Sequence, residues 1–328
     1  LSLMPLEEPR ELIFEHEDTL GYERNGDNHF LPEPKTEMEK MIRMYMGTKP
    51  FIEGAWMTKH NGLYYLQYAS PGTQYNIYSD AVYVGKGPLG PFEIAKNNPF
   101  SYQPNGFITG AGHGSTFLDT YGNWWHISTM RISVNHNFER RIGLWPAGFD
   151  EDGDLFCNNR YGDWPREILP GKQNPWEDPK WLLLSYGKTV NVSSYQNGFE
   201  GNKASDENIR TWWSAQTNSE KEWLELDLGH SCRIKAIQIN FADKDLSFEL
   251  KGDLELVDKG HSQRTVDLRQ HRTRYLLEGS LDGNQYEIIA DKRNVSTDLS
   301  HDLIDVEEKQ YRYIRISNIE LPFHQVPS

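Results

Sequence analysis

The 328-residue sequence has two cysteines, Cys157 and Cys232, far apart. Such a pair makes neither a Cys/His metal motif nor a disulfide framework, and each is expected as a small buried apolar residue. Basic residues are also short: 34 Lys and Arg stand against 48 Asp and Glu, a formal net charge of −14. Nucleic-acid binding needs a basic stripe, so that class of partner is argued against. No apolar run reaches the length of a membrane span, and the start at Leu1 carries no signal-peptide pattern.

Aromatic and turn-forming residues are plentiful. Trp, Tyr and Phe make up 12% of the chain, and 27 Gly and 17 Pro punctuate it at short intervals. That combination favours many short strands over long helices. Glu11–Glu15 reads as a strand, followed by the polar stretch His16–Lys40. Thr36–Met46 has apolar residues near helical spacing and reads as one short helix.

The chain is organised around an internal repeat. Phe51–Tyr68 (FIEGAWMTKHNGLYYLQY) recurs without a gap as His113–Ser128 (HGSTFLDTYGNWWHIS). Aligning Glu53 with His113 puts Gly54 on Gly114, Gly62 on Gly122, Tyr64 on Trp124 and Tyr65 on Trp125. Each copy is a strand, a turn ending in Gly and a second strand of aromatics, the mark of a repeating β architecture. Strands of the first repeat are expected at Ile52–Thr58, Leu63–Ala69, Tyr78–Gly85 and Phe92–Ile94. Those of the second are expected at Gly114–Asp119, Asn123–Met130, Arg140–Phe149 and Leu155–Asn158. Asn61-Gly62 suits a two-residue hairpin, in which both central residues need positive φ. Four antiparallel strands per repeat make a propeller blade. Two blades cannot close a propeller, so residues 1–165 are expected to be a partial β-propeller lacking its N-terminal blades.

Residues 166–181 hold Pro170, Pro175 and Pro179 and read as a stiff linker. Residues 182–328 read as a β-sandwich, with alternating strands at Trp223–Gly229, Arg233–Phe241, Arg274–Leu281, Tyr286–Ala290 and Tyr311–Ser317. Ala242–Gln270 is polar and aperiodic and reads as an insertion or long loop. The fold class is all-β, a propeller followed by a sandwich jelly roll.

The repeat carries a carboxylate at Glu53 where its twin carries an imidazole at His113. Inner strands of a propeller line its central channel. A partly desolvated carboxyl there, flanked by Ile52 and Trp56, favours the protonated form a general acid needs. The plainer alternative is a structural Glu bonded to backbone N–H groups. His113 lies in the small-residue run Gly110–Ser115, which allows other groups to approach closely. It could hold a metal, a metal-bound water or the substrate, or be a hydrogen-bonded core His. His126 reads as an ordinary strand residue. Arg140 or Arg141 could hold a hydroxyl or carboxylate in the channel, or one could pair with Glu139.

The motifs IEGAWMTKHNGLYYLQYASPGTQYNIY, GPLGPFE and GAGHGSTFLDTYGNWWHI resemble glycoside hydrolase family 43 over about Leu1–Pro165. The resemblance implies a five-bladed β-propeller and inverting hydrolysis of arabinose- or xylose-containing plant polysaccharides or oligosaccharides, of the α-L-arabinofuranosidase/β-xylosidase type. It places the general acid on Glu53. It places the channel-centre His, often beside a calcium ion and its waters, on His113, and the family's Arg on Arg140 or Arg141. Trp56, at the channel mouth, would stack on sugar. The family also needs two Asp residues on earlier blades. Nothing in Leu1–Pro50 matches them, and the roles do not pass to Asp18 or Asp27.

Asn202–Ser214 (NKASDENIRTWWS) and Glu222–Gly229 (EWLELDLG) resemble the discoidin-like sandwich, in particular family 32 carbohydrate-binding modules. That likeness implies a structural calcium on Asp206 and Thr211 with backbone carbonyls, an oxygen-only set that suits the ion. The alternative is a plain Asx-turn. Together the two resemblances imply a secreted, periplasmic or cell-surface glycosidase. The rival expectation is a non-catalytic carbohydrate-binding protein, or a degenerate glycosidase lacking the catalytic Asp pair.

Overall fold

The computed structural model describes residues 8–16, 20–24, 33–46, 50–73, 75–103, 106, 109–131, 140–162, 164, 166–242, 244, 254–259, 262–267 and 269–328. The chain divides into two compact units, the second beginning its long continuous part at Leu183. Asp18, Asp27 and Glu139 lie outside the described residues.

The first unit holds two antiparallel meanders. In the first, β1 (Glu53–His60), β2 (Leu63–Ser70), β3 (Ser79–Gly85) and β4 (Phe92–Ile94) lie side by side in chain order, and a two-residue β5 (Ser101–Tyr102) also pairs with β3. In the second, β6 (Thr109–Leu118), β7 (Trp124–Arg131), β8 (Arg140–Phe149) and β9 (Leu155–Cys157) do the same. The turn chemistry explains the hairpins. Asn61 and Gly62 take φ of 45° and 83°, so His60 pairs with Leu63 across two residues, as the sequence predicts.

One face of the first meander meets the second meander. Tyr65, Val82, Phe100 and Leu155 form a buried cluster there, and the Tyr65 hydroxyl donates to the Gly153 carbonyl at 2.7 Å. Cys157 packs at the edge of that cluster and Cys232 at the edge of the second unit's core; both are half-buried rather than fully buried. The opposite face of the first meander (Leu66, Tyr68, Ala81, Tyr83) is covered by Leu12, Ile13 and Tyr22. The expected strand at Glu11–Glu15 joins no sheet; its side chains cover the face without pairing with a strand. Buried Glu23 ties this segment down, accepting from the Tyr68 hydroxyl and the His16 backbone N–H at 2.6 Å each. The expected helix is present as α1 (Glu37–Met46).

Residues 166–181, expected as a linker, instead cluster with the first unit. Asn123 donates to the Gly171 carbonyl at 2.9 Å and Asn158 to the Pro175 carbonyl at 2.9 Å, while Trp176 stacks on Phe156 at 3.8 Å. The prolines stiffen a segment that buttresses the second meander.

The second unit is an antiparallel sheet in the order β10 (Thr189–Val192), β11 (Trp223–Asn240), β16 (His301–Glu320), β14 (Arg274–Ser280) and β15 (Glu287–Asp291). Here the expected pattern needs three corrections. Trp223–Gly229 and Arg233–Phe241 are halves of one strand, interrupted in register between Asp227 and Cys232, and the strand read as Tyr311–Ser317 runs from His301. Such bulges bend a strand, and residues on both sides of them (Leu226 and Ile234, Ile304 and Ile316) share one core with Trp213 and Tyr275. The stretch Ala242–Gln270 also contains a hairpin, β12 (Leu254–Lys259) with β13 (Ser262–Asp267), rather than loop alone.

Candidate functional site

Both copies of the repeat break their strand register at the same place. One extra residue sits on β1 between Glu53 and Trp56, and one on β6 between Gly112 and Ser115. A bulge re-aims the side chains beside it. Gly54 takes φ of 65° and His113 takes φ of 56°, a left-handed conformation rarely adopted by non-glycine residues. The bulges bring the two equivalent positions face to face: His113 Nδ1 lies 3.8 Å from Glu53 Oε1. Gly54 makes room for the imidazole, since a Cβ there would lie 2.9 Å from His113 Cγ. Glu53 keeps 34% of its side-chain surface exposed and His113 51%, so an incoming group can reach both.

A third residue joins them. The buried Tyr78 donates its hydroxyl to Glu53 Oε1 at 2.7 Å. Its ring is held over Gly112, where a Cβ would come within 2.7 Å of ring carbon. Burial, then the bond to Glu53, push this phenol far above its ordinary range, and the charge of Arg140 acts the other way. Arg140 also reaches the Thr73 hydroxyl at 3.5 Å. Neighbours on a strand face opposite ways. Arg141 is exposed and donates to the Arg140 carbonyl at 3.0 Å, so Arg140 is the arginine of the pair that bears on Tyr78. Trp56 is part-exposed, and its Nε1 donates to the Thr116 carbonyl on β6 at 3.1 Å.

Behind His113 lies a fully buried polar chain. Asp80 Oδ2 accepts from the Gly114 N–H at 2.9 Å and meets His126 Nε2 at 2.9 Å. His126 Nδ1 meets the Thr116 hydroxyl at 3.0 Å, Thr116 donates to Gln67 at 2.8 Å, and Gln67 donates to Thr58 at 2.9 Å. Burial pushes the Asp80 carboxyl up, opposed by its bonds from His126 and Gly114. Gly114 is what permits this: a Cβ there would meet Asp80 and His126 at 2.5 Å.

In the second unit, Asp206 Oδ2 accepts from the Thr211 hydroxyl at 2.6 Å, and Asp206 Oδ1 from the Asn208 N–H at 3.1 Å. The Thr211 hydroxyl also lies 3.1 Å from the Asn208 carbonyl. Three oxygens therefore converge in an Asx-turn, and this oxygen-only donor set fits a hard cation such as calcium. Among the described residues, no group of three or more His, Cys, Asp and Glu side chains is arranged to hold a metal.

Residues 29–155 match the family model described as glycosyl hydrolases family 43. The first unit carries a glycosyl hydrolase family 43 domain. Residues 197–316 match the model described as a NedA-like, galactose-binding domain, which lies within the second unit. Among solved structures, one described as a glycoside hydrolase is 21% identical over 84% of this chain and 59% of its own, with a TM-score of 0.41. An endo-1,4-β-xylanase from Bacteroides thetaiotaomicron is 24% identical over 34% of this chain and 38% of its own, with a TM-score of 0.31. CpGH89CBM32-4 of Clostridium perfringens, in complex with GlcNAc-α-1,4-galactose, is 13% identical over 43% of this chain and 81% of its own, with a TM-score of 0.32. This chain spans 59% of the length of the glycoside hydrolase it resembles. No curated protein matches the chain.

In the family 43 domain, Glu53 and His113 meet across the repeat, while Tyr78 and Asp80 come from β3 or its edge. In the sequence both read as ordinary strand residues. The glycines at 112 and 114 did signal close approach. They could not say that a tyrosine and a carboxylate do the approaching.

Proposed function

We propose that the family 43 domain serves an inverting glycosidase acting on arabinose- or xylose-containing plant polysaccharides or oligosaccharides, with Glu53 as general acid. One observation carries the reading: a part-exposed carboxyl, held at one oxygen by Tyr78 and faced by His113, at a bulge repeated in both meanders. Such a carboxyl can deliver a proton to a leaving glycosidic oxygen. Inversion also needs a base carboxylate about 6.5–9.5 Å away with water between. Asp80 does not meet that need, because it is buried against Gly114 and His126. His113 and Arg140 would position sugar hydroxyls, and Trp56 would stack on a sugar face. The test is hydrolysis of aryl α-L-arabinofuranosides and β-D-xylosides by the full-length protein, with the product anomer followed by NMR. Glu53→Gln is expected to lower turnover of unactivated glycosides by about 10²–10⁴-fold without changing the melting temperature. Near-normal turnover, or retention at the anomeric carbon, would defeat the assignment.

A second reading, supported by the galactose-binding match at residues 197–316, is a carbohydrate-binding protein without hydrolytic activity. It predicts saccharide binding through the galactose-binding domain with no turnover of any glycoside. We further propose that Asp206 and Thr211, with backbone carbonyls, hold a structural calcium in that domain, and that the protein acts outside the cytoplasm, where its polysaccharide lies.

A further inference from the structure

We propose that Tyr78 is a positioning residue that decides which oxygen of Glu53 carries the transferable proton. The inference rests on reading Glu53 as the proton donor. A carboxylic acid has one carbonyl oxygen and one hydroxyl oxygen, and only the hydroxyl can protonate a leaving group. Tyr78 donates to Oε1 at 2.7 Å, and His113 Nδ1 faces the same oxygen at 3.8 Å. A proton on Oε1 would end that donation, because the phenol hydrogen would have to turn away from Glu53 for the two oxygens to stay hydrogen-bonded. A proton on Oε2 keeps it, because Oε1 then accepts as the carbonyl oxygen.

The geometry makes this selection rigid. The phenol's pKa is raised by burial and by Glu53, so its hydroxyl stays protonated and keeps its donor role. The Tyr78 ring is buried and pinned over Gly112, which has no side chain to push it away. The carboxyl is therefore fixed at one oxygen. Proton transfer breaks the Oε2–H bond, forms O–H on the departing glycosidic oxygen, and leaves the carboxylate still bonded to Tyr78 through Oε1. The phenol changes neither charge nor protonation.

The experiment is Tyr78→Phe in the full-length protein, assayed with aryl glycosides whose phenol leaving groups range from very acidic to weakly acidic. Phe keeps the ring over Gly112, and a thermal melt checks the fold. Turnover of substrates with poor leaving groups is expected to fall by about tenfold or more, a part of what general acid catalysis supplies. Turnover of a dinitrophenyl glycoside, which leaves without a proton, is expected to change by less than twofold, and KM to hold on both. Equal loss on all leaving groups, or no loss on the poor ones, would overturn the proposal. Glu53→Gln run in parallel separates the two readings. If Glu53→Gln spares poor leaving groups, or the protein turns over no glycoside at all, the general-acid assignment falls and Tyr78 with it. If Glu53→Gln disables them and Tyr78→Phe does not, the Tyr78 role alone falls.

Discussion

Glycine 54 shows how much one missing methyl group can carry. Its φ of 65° is left-handed, and the space where a Cβ would stand is filled by the His113 ring. Gly62 shares the sign, with φ of 83°, but has nothing within 4 Å of a built Cβ. The pair therefore separates backbone strain from close approach. Gly62→Ala should cost the backbone term alone, about 1–2 kcal/mol. Gly54→Ala should cost that and also displace the imidazole. Chemical denaturation should show the larger loss for Gly54→Ala, and on the proposed glycosidase reading turnover by the full-length protein should fall for Gly54→Ala only. Equal losses would mean that the His113 ring gives way freely. Gly112 and Gly114 follow the same logic against Tyr78 and against the Asp80–His126 pair. The glycines of this run are shaped by what stands opposite them.

Among the elements, the two equivalent hairpins close differently. Asn61-Gly62 closes β1–β2 by its own positive φ values. The β6–β7 turn is longer, and Asp119 holds it. Its carboxylate accepts from Trp125 Nε1, Asn123 Nδ2 and the backbone N–H groups of Asn123 and Tyr121, all at 2.8–2.9 Å. Burial pushes this carboxyl up, but those bonds outweigh it and bring the pKa down to about 2. A folded pKa below the unfolded value of about 3.9 means that Asp119 stabilises fully above that value. The contribution is lost as pH falls towards about 2. The stability gap between wild type and Asp119→Ala should therefore be constant from about pH 5 to 7 and close steadily below about pH 4. Urea melts across that range test it, and a gap that persists at low pH would contradict it. The bulges at Glu53 and His113 are the other decisive element feature. Each adds one residue to its strand in both copies, and so turns two strand positions towards each other.

Across the whole molecule, the two units have separate cores, one built from aromatic clusters between the meanders and one wrapped by two long bulged strands. Calorimetry is expected to show two transitions. If calcium sits on Asp206 and Thr211, a chelator should lower the melting temperature of the galactose-binding domain alone, by several degrees, and Asp206→Ala should remove the response. A chelator effect on both transitions, or on neither, would count against that site. The formal net charge is −14. Among the described residues no helix is long and apolar enough to cross a membrane.

Local chemistry accounts for much of this. The gapless repeat, its strands of aromatics and the Asn61-Gly62 turn were enough to place nearly every strand of the family 43 domain, because hairpin pairing is settled between neighbours in the chain. The same repeat singled out Glu53 and His113 as equivalent positions. What the order of residues could not carry was contact between distant segments. Tyr78 reaches Glu53 only after the β3 strand has folded back beside β2, and Asp80 finds His126 and Gly114 only once the second meander has packed against the first. The single long strands β11 and β16 and the buttressing by residues 166–181 were hidden for the same reason. Each depends on a bulge or a packing surface supplied by another part of the chain, and neither leaves a periodic trace in its own residues.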